Sequence, residues 1–359
     1  MPPRLEATDF DSLAGWIDDD HKAAFRAFER SARTVRASEA QPRPAQSAPP
    51  ELIANARAAL CAGVTDERDA RHFFETRFRP FRVVPENGRG FLTGYYEPCV
   101  AASRVETEAF RWPILARPTD LVTFGVDPAP HGFPKDISGA RRLSDGSLVP
   151  YADRAQIEIE RRDPIVWVRD AVEAFLMQVQ GSAQVEFPDR RRARLAYDGR
   201  NGLPYTSIGK ILIEAGEIAE GAMSLASLKA WLRRDSAQGL DVMRRNRSFV
   251  FFRLVEDFDV HLGPIAGAGV ALTPLRSIAV DRTVWAYGLP FWIDAELPWV
   301  DETPQPFRRL MIAQDTGSAI VGAARADLFF GSGDTAGARA GAVRHAAEFV
   351  VLLPRGDEP

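Results

Sequence analysis

The sequence has no apolar run approaching the roughly 18 residues that a membrane-spanning helix needs, so no such span is expected. Cysteine is scarce. Cys61 and Cys99 are the only two in 359 residues, too few for a disulfide scaffold, and they leave either a single bridge or two buried thiols. His21, His72, His131, His261 and His345 are scattered and none forms an HExxH or Cys/His spacing, so neither a metal nor a cofactor is expected. Basic charge is not in excess, the net charge being −4, which argues against nucleic acid as a partner. The start, MPPRLEATDFDSLAG, lacks a basic stretch followed by an apolar one and does not read as a secretory signal. Two further signatures are incomplete. PIAGAGVA at 264–271 has no third glycine at dinucleotide-binding spacing. Ser207, in PYTSIGK, lacks the first glycine of a nucleophile elbow and reads instead as a helix cap.

What is present, 45% hydrophobic and 26% charged residues over 359 positions, suits a globular chain of two domains. Residues 18–36 read as a helix with Phe25, Phe28, Ala32 and Val35 on one face. A Pro/Ala/Ser linker follows over 37–50, then helical patterns at about 51–62 and 66–78. FLTGYYEP at 91–98 reads as a strand stopped by proline. Asp163-Pro164 offers an N-cap and first-turn proline for a helix carrying Val168, Val172, Phe175 and Val179, with Gly181 to end it. Further helices are expected over 207–216 and 224–234. From Ser248 the texture is β-rich, and these strands have few partners other than the early β segment. One barrel built from both chain ends, with a second domain between, is the simplest arrangement.

Three aspartates stand in this C-terminal region: Asp281 in SIAVDRTV, then Asp315 and Asp327 in AQDTGSAIVGAARADLFFGSG. Cleaving a glycan needs a carboxylic acid to protonate the leaving oxygen, and glycines at 317, 322, 331 and 333 leave room for close approach. Asp and Gly are equally ordinary turn residues, so this segment alone leaves both readings open. Among the aromatics, Tyr95, Tyr96, Trp285 and Tyr287 suit either sugar stacking or a strand core, while Trp292, in LPFWI, suits the core.

The wording around the aspartates is Asp281-Arg282, then Asp315-Thr316-Gly317-Ser318-Ala319-Ile320, then Asp327-Leu328-Phe329-Phe330-Gly331. With FLTGYYEP, MQVQGSAQVEF at 177–187 and YDGRNGLPYTSIGKILIEAGEI at 197–218, the chain resembles the membrane-bound lytic murein transglycosylase A family from about Phe10 onward. The resemblance implies a mainly β protein with helices. Residues 1–100 and 247–359 would form a double-psi β-barrel, and 101–246 an inserted smaller β domain, with a glycan groove between them. It implies cleavage of the β-1,4 bond between N-acetylmuramic acid and N-acetylglucosamine in peptidoglycan, with a 1,6-anhydromuramic product. Asp327 would be the single acid and base, with Asp315 and Asp281 in support.

By the same resemblance, Tyr95, Tyr96, Glu97, Gln180, Gly181, Ser182, Asn201 and Tyr205 would be the substrate-binding residues in its matched motifs; Glu97, like Glu186, also reads as a salt-bridge partner. Implied partners are glycan strands and other envelope proteins, in the periplasm at the outer membrane. The N-terminal lipid anchor of many members is unsupported, because no cysteine precedes Cys61. Two alternatives stay open: an inverting β-glycan hydrolase on the same barrel, which needs a second carboxylate, and a non-catalytic glycan-binding module.

Overall fold

The computed structural model describes residues 3–37, 41–85, 88–124, 130 and 132–356; His131 lies outside them. Two short strands, β1 (Arg4–Ala7) and β2 (Phe78–Val84), pair antiparallel and flank three helices, α1 (His21–Ala37), α2 (Pro50–Ala59) and α3 (Glu67–Arg77). Helix α1 starts at His21 rather than at residue 18. Residues 16–18 form a 3-10 turn, and Asp20 Oδ1 caps the helix by accepting from Ala23 N at 2.8 Å. Its apolar face buries Phe25 and Phe28, which meet Phe73 and Phe74 of α3 with ring centroids 5.0 and 5.8 Å apart. A buried ion pair holds the turn ahead of α1. Asp19 accepts from both terminal nitrogens of Arg276 at 2.7 and 2.8 Å, and both side chains are at most 3% exposed.

Strand β3 (Gly90–Glu97) leads into the middle of the chain. There β4 (Cys99–Ser103), β5 (Trp112–Leu115), β6 (Leu121–Thr123), β7 (Gly139–Arg142), β8 (Leu148–Pro150), α4 (Arg154–Glu160), β9 (Pro164–Val168), α5 (Ala171–Gln180), β10 (Ser182–Glu186), β11 (Arg192–Arg200), α6 (Ile208–Glu214), α7 (Leu225–Arg234), α8 (Ser236–Arg245) and β12 (Val250–Val255) follow. They make a six-stranded sheet in the order β12-β11-β10-β4-β9-β5 and a three-stranded sheet β6-β7-β8.

Two expectations change here. The helix expected from Asp163-Pro164 is a strand over 164–168, with Val166 and Val168 fully buried at alternate positions; Asp170 caps the real helix, accepting from Glu173 N at 2.8 Å. Gly181, at φ 83°, does end it. The strand at 250–255 joins β11, not the barrel, because both its faces find apolar cover in this sheet's surroundings. Phe252 packs with Val166, Val185 and Leu195, and Phe251 with Leu121 and Tyr151.

The remaining strands are β13 (Ser277–Val280), β14 (Pro290–Leu297), β15 (Gln305–Asp315), β16 (Arg325–Ser332) and β17 (Arg344–Pro354), with helix α9 (Asp334–Ala342) between the last two. With β3 they close a six-stranded ring in the order β3-β17-β14-β15-β13-β16. Strand β17 changes partner along its length. Residues 344–347 pair with β3 and 350–354 with β2. Trp292 is fully buried in the core, as are Trp285 and Tyr287. Contacts divide the chain into two compact units: Met1–Tyr96 with His261–Gly331 and Arg339–Pro359, and Glu97–Val260 with Ser332–Ala338. Among the described residues no helix is long and apolar enough to cross a membrane.

Packing of helix α9 against β3 requires glycine at 94. A Cβ on Gly94 would lie 2.8 Å from both Cα and O of Ala340, backbone atoms that cannot swing aside. Gly94→Ala is therefore expected to lower stability by about 1–3 kcal/mol, the range for overpacking, and to disturb its neighbours Thr93 and Tyr95. Urea unfolding checks this; a variant within 0.5 kcal/mol of the parent, roughly the range for neutral surface changes, would contradict it.

Candidate active site

The three aspartates meet because of register. Strands β15, β13 and β16 are neighbours, and Ala279 of β13 is the cross-strand partner of both Asp315 and Asp327. Residues directly opposite one another project from the same face of a sheet. Two inter-strand steps of about 4.8 Å put the two aspartate backbones about 10 Å apart, with Ala279 on the strand between them, just past a register irregularity at Ile278/Ala279. Strands β13 and β15 are parallel and β16 is antiparallel to β13. Asp281 just past β13, Asp315 at the end of β15 and Asp327 near the start of β16 thus share one end of the barrel. Gln314, fully buried, helps to hold this register. Its amide donates to Ala27 O and Ser31 Oγ of α1, both at 2.8 Å, while its oxygen accepts from Ser277 Oγ of β13.

Each aspartate is held differently. Asp327 Oδ1 accepts from Thr93 Oγ1 and from Arg325 at 2.5 Å, and Arg325 also donates to Thr93 Oγ1 at 2.9 Å. Among the described residues Oδ2 accepts no hydrogen bond, and the side chain is 20% exposed. The Arg325 guanidinium also lies 5.3 Å from the ring centroid of Phe91.

Both oxygens of Asp315 are occupied. Oδ1 accepts from Gly267 N at 3.0 Å, with Arg43 at 3.8 Å, and Oδ2 accepts from Tyr95 Oη at 3.1 Å. Burial, reinforced by the Asp315 charge, pushes the Tyr95 phenol well above its ordinary 10.0, so Tyr95 stays a donor. The same two causes push Tyr287 up, and its hydroxyl donates to Arg43 O at 3.0 Å. A Cβ at Gly267 would meet Tyr287 Oη at 2.5 Å; only glycine lets this amide reach Asp315.

Asp281, 6% exposed, is a loop tie. Oδ1 accepts from Thr283 N at 2.9 Å and Thr283 Oγ1 at 2.7 Å, and Oδ2 from Gly322 N at 2.7 Å.

Of the other expected site residues, Tyr95 joins this cluster and Tyr96, the next residue along β3, is buried. Glu97, Gln180, Gly181, Ser182, Asn201 and Tyr205 belong to the other compact unit. There the buried Glu97 carboxylate accepts from Arg194 Nε at 2.6 Å and Nη2 at 2.9 Å, from Gln184 at 2.9 Å and from Ser332 at 2.7 Å. Asn201, also fully buried, ties three segments by donating to Ala152 O and Arg247 O and accepting from Phe249 N. Gly181 is the helix cap, Ser182 is buried at the start of β10, and Gln180 ends α5. Burial raises the Tyr205 phenol. Sequence reading did not single out Thr93, Arg325 or Gly267. The signal was alternation: Thr93 lies two residues before Tyr95 on one strand and Arg325 two before Asp327 on another, so each pair shares a face.

Comparison with known proteins agrees with this architecture. The MltA specific insert domain family matches residues 91–253 and the 3D domain family residues 276–353. The crystal structure of a membrane-bound lytic murein transglycosylase from Agrobacterium tumefaciens superposes with a TM-score of 0.88 at 36% identity, covering 98% of both chains. MltA from Neisseria gonorrhoeae gives 0.79 at 26% identity, over 99% of this chain and 94% of that one. Membrane-bound lytic murein transglycosylase A of Vibrio cholerae is 31% identical over 265 residues, 72% of this chain. The chain spans 64% of that relative's length.

Asp281 is expected to act on stability through Gly322. Replacing it by alanine leaves two backbone donors and one hydroxyl without their acceptor, which costs about 1–3 kcal/mol per buried group left unpaired. Asp281→Ala should lower the melting temperature and speed hydrogen exchange at the Gly322 amide. Unchanged exchange at that amide would show that the tie is not made in solution.

Proposed function

Because the chain belongs to the membrane-bound lytic murein transglycosylase A family, we propose that it cleaves peptidoglycan between N-acetylmuramic acid and N-acetylglucosamine, with Asp327 as the single acid and base. The observation that carries this choice is occupancy. Asp281 and Asp315 each have both oxygens engaged by protein donors, whereas Asp327 is the most exposed of the three and its Oδ2 accepts no hydrogen bond among the described residues.

In the reaction, the Asp327 carboxyl gives its proton to the glycosidic oxygen as the bond from that oxygen to C1 of the muramoyl ring breaks, and oxocarbenium character develops at C1. The resulting carboxylate then takes the proton of that ring's C6 hydroxyl, whose oxygen bonds to C1. A 1,6-anhydro sugar leaves and no water is consumed. The nucleophile belongs to the substrate, so proximity replaces the positioned water of a hydrolase. Thr93 and Arg325 fix the carboxyl through Oδ1 and leave proton transfer to Oδ2. Asp315 holds Tyr95 and the Gly267 turn, and Asp281 holds the loop at Gly322.

Two features support reading the ring as a double-psi barrel interrupted by an inserted domain: both chain ends enter it, and β13 and β15 run parallel inside it. The relatives are named membrane-bound, which supports a site of action in the cell envelope, in the periplasm.

The separation of about 10 Å between the Asp315 and Asp327 backbones keeps inverting hydrolysis as the second reading, since that chemistry uses carboxyl groups roughly 6.5–9.5 Å apart. Asp315 would have to activate a water with both its oxygens already accepting hydrogen bonds, which disfavours it. Mass spectrometry of digested sacculi separates the two: anhydromuropeptides, lighter by one water than reducing-end products, are expected, and reducing ends alone would overturn the transglycosylase. Asp327→Asn should lose activity by about 10²–10⁴-fold or more while melting as the parent does. Asp315→Asn should lose less. The reverse order would move the acid to Asp315.

A further inference from the structure

The unit comprising Glu97–Val260 and Ser332–Ala338 holds a cleft of its own, about 580 Å³ in volume, floored by β4 and β10. That volume falls within the roughly 300–1,000 Å³ of small-ligand sites. Phe110, Phe187, three arginines (Arg169, Arg190 and Arg192) and a single acid, Glu186, are among its lining residues.

The charges do not cancel. Arg190 donates to Glu186 Oε1 at 3.0 Å, while Arg192 donates to Oε2 through Nε at 3.2 Å and Nη2 at 3.1 Å, so one carboxylate serves two guanidiniums. A guanidinium has five N–H donors, and both arginines keep donors beyond those Glu186 uses. Arg169 lies 5.0 Å over the Phe110 ring and makes no ion pair among the described residues.

A second observation is independent of charge. Arg190 has φ 66°, in the left-handed region, at the turn where Phe187 N donates to Arg191 O and Arg190 N to Phe187 O, both at 2.9 Å. Glycine or asparagine adopts that conformation more readily. Glycine at 190 would therefore relieve the backbone while removing the cation.

We propose that this cleft binds a short acidic peptide: its arginines take carboxylates in forked pairs and its phenyl walls take the intervening aliphatic groups. The inference rests on the peptidoglycan reading above, in which the ligand of this class is the stem peptide on the muramoyl residue. The cleft would then select peptide-bearing glycan.

Calorimetric titration of the whole chain with the free-acid peptide N-acetyl-L-Ala-γ-D-Glu-meso-diaminopimelyl-D-Ala, which carries a net negative charge, with the same peptide amidated at its carboxyls, and with inorganic phosphate tests the proposal. Saturable binding of the free acid is expected. Amidation or Arg169→Gln should weaken it about tenfold, as for loss of one charge-assisted hydrogen bond. Arg190→Gly should also weaken binding but raise the melting temperature, which separates lost recognition from misfolding. The proposal is overturned if the free acid fails to saturate at millimolar concentration, if amidation or both substitutions leave affinity unchanged, or if phosphate binds as tightly as the peptide. Sacculus cleavage is measured on the same samples. Cleavage without peptide binding removes the cleft alone; peptide binding without cleavage removes the transglycosylase reading and leaves an acidic-peptide site.

Discussion

Register across β15, β13 and β16 is the constraint on which the site depends. A slip of one residue in either pairing would turn an aspartate to the opposite face of the sheet. Several buried groups act against that slip from different directions. Gln314, adjacent to Asp315, reaches the backbone and a serine of α1 and the hydroxyl at the start of β13. The Asp19–Arg276 pair fixes the residue before β13, and Arg276 also donates to Leu310 O at 3.0 Å. A buried pair of this kind adds little net stability compared with apolar groups of equal volume, but losing one partner is costly. Its effect here is on alignment: helix α1 and the turn ahead of it act as a jig for strands far away in sequence.

Within that alignment the three carboxylates divide their tasks by coordination. Two are saturated by backbone amides and hydroxyls and serve as anchors for loops that carry little regular structure of their own. The third has donors on one oxygen only. Chemically equivalent side chains thus acquire different uses from what surrounds them, the same principle by which paired carboxyls elsewhere become acid and base. Thr93 matters here because it bridges Arg325 and Asp327 through one hydroxyl, so the orientation of the carboxyl is set by a strand from the other end of the chain.

Legibility in the sequence followed the length of the local signal. The amphipathic α1, the caps at Ser207 and Gly181, and the pairing of the FLTGYYEP strand with C-terminal strands could all be read, because each rests on several residues in agreement. The segment 164–168 was misread because Asp-Pro is a strong helix-start signal that tertiary burial of Val166 and Val168 overrode. The β texture at 250–255 marks a strand but not its sheet, since a strand covered on both faces looks the same in any core. Helix α9 is rich in glycine and alanine and carries no apolar stripe to announce it. At the site the aspartates are visible as a group, but only the family resemblance, not the residues themselves, divides their labour. Occupancy of an oxygen depends on partners such as Gly267, Tyr95 and Gly322, which come from distant segments. Glu97 shows the same limit: only the fold reveals that Arg194, Gln184 and Ser332 use up its carboxylate.

Strand β17 is the last strand of the chain, and the early strand β3 pairs against it at Thr93–Arg344 and the three residue pairs beyond. A polypeptide emerging from the ribosome, or threading through a membrane pore from its N-terminus, therefore carries Thr93 long before anything exists to seat it. The Thr93 hydroxyl waits 232 residues for Arg325 and 234 for Asp327. The ring itself closes only when residues 344–347 arrive to pair with β3, so a chain interrupted before residue 344 lacks its closing strand pair.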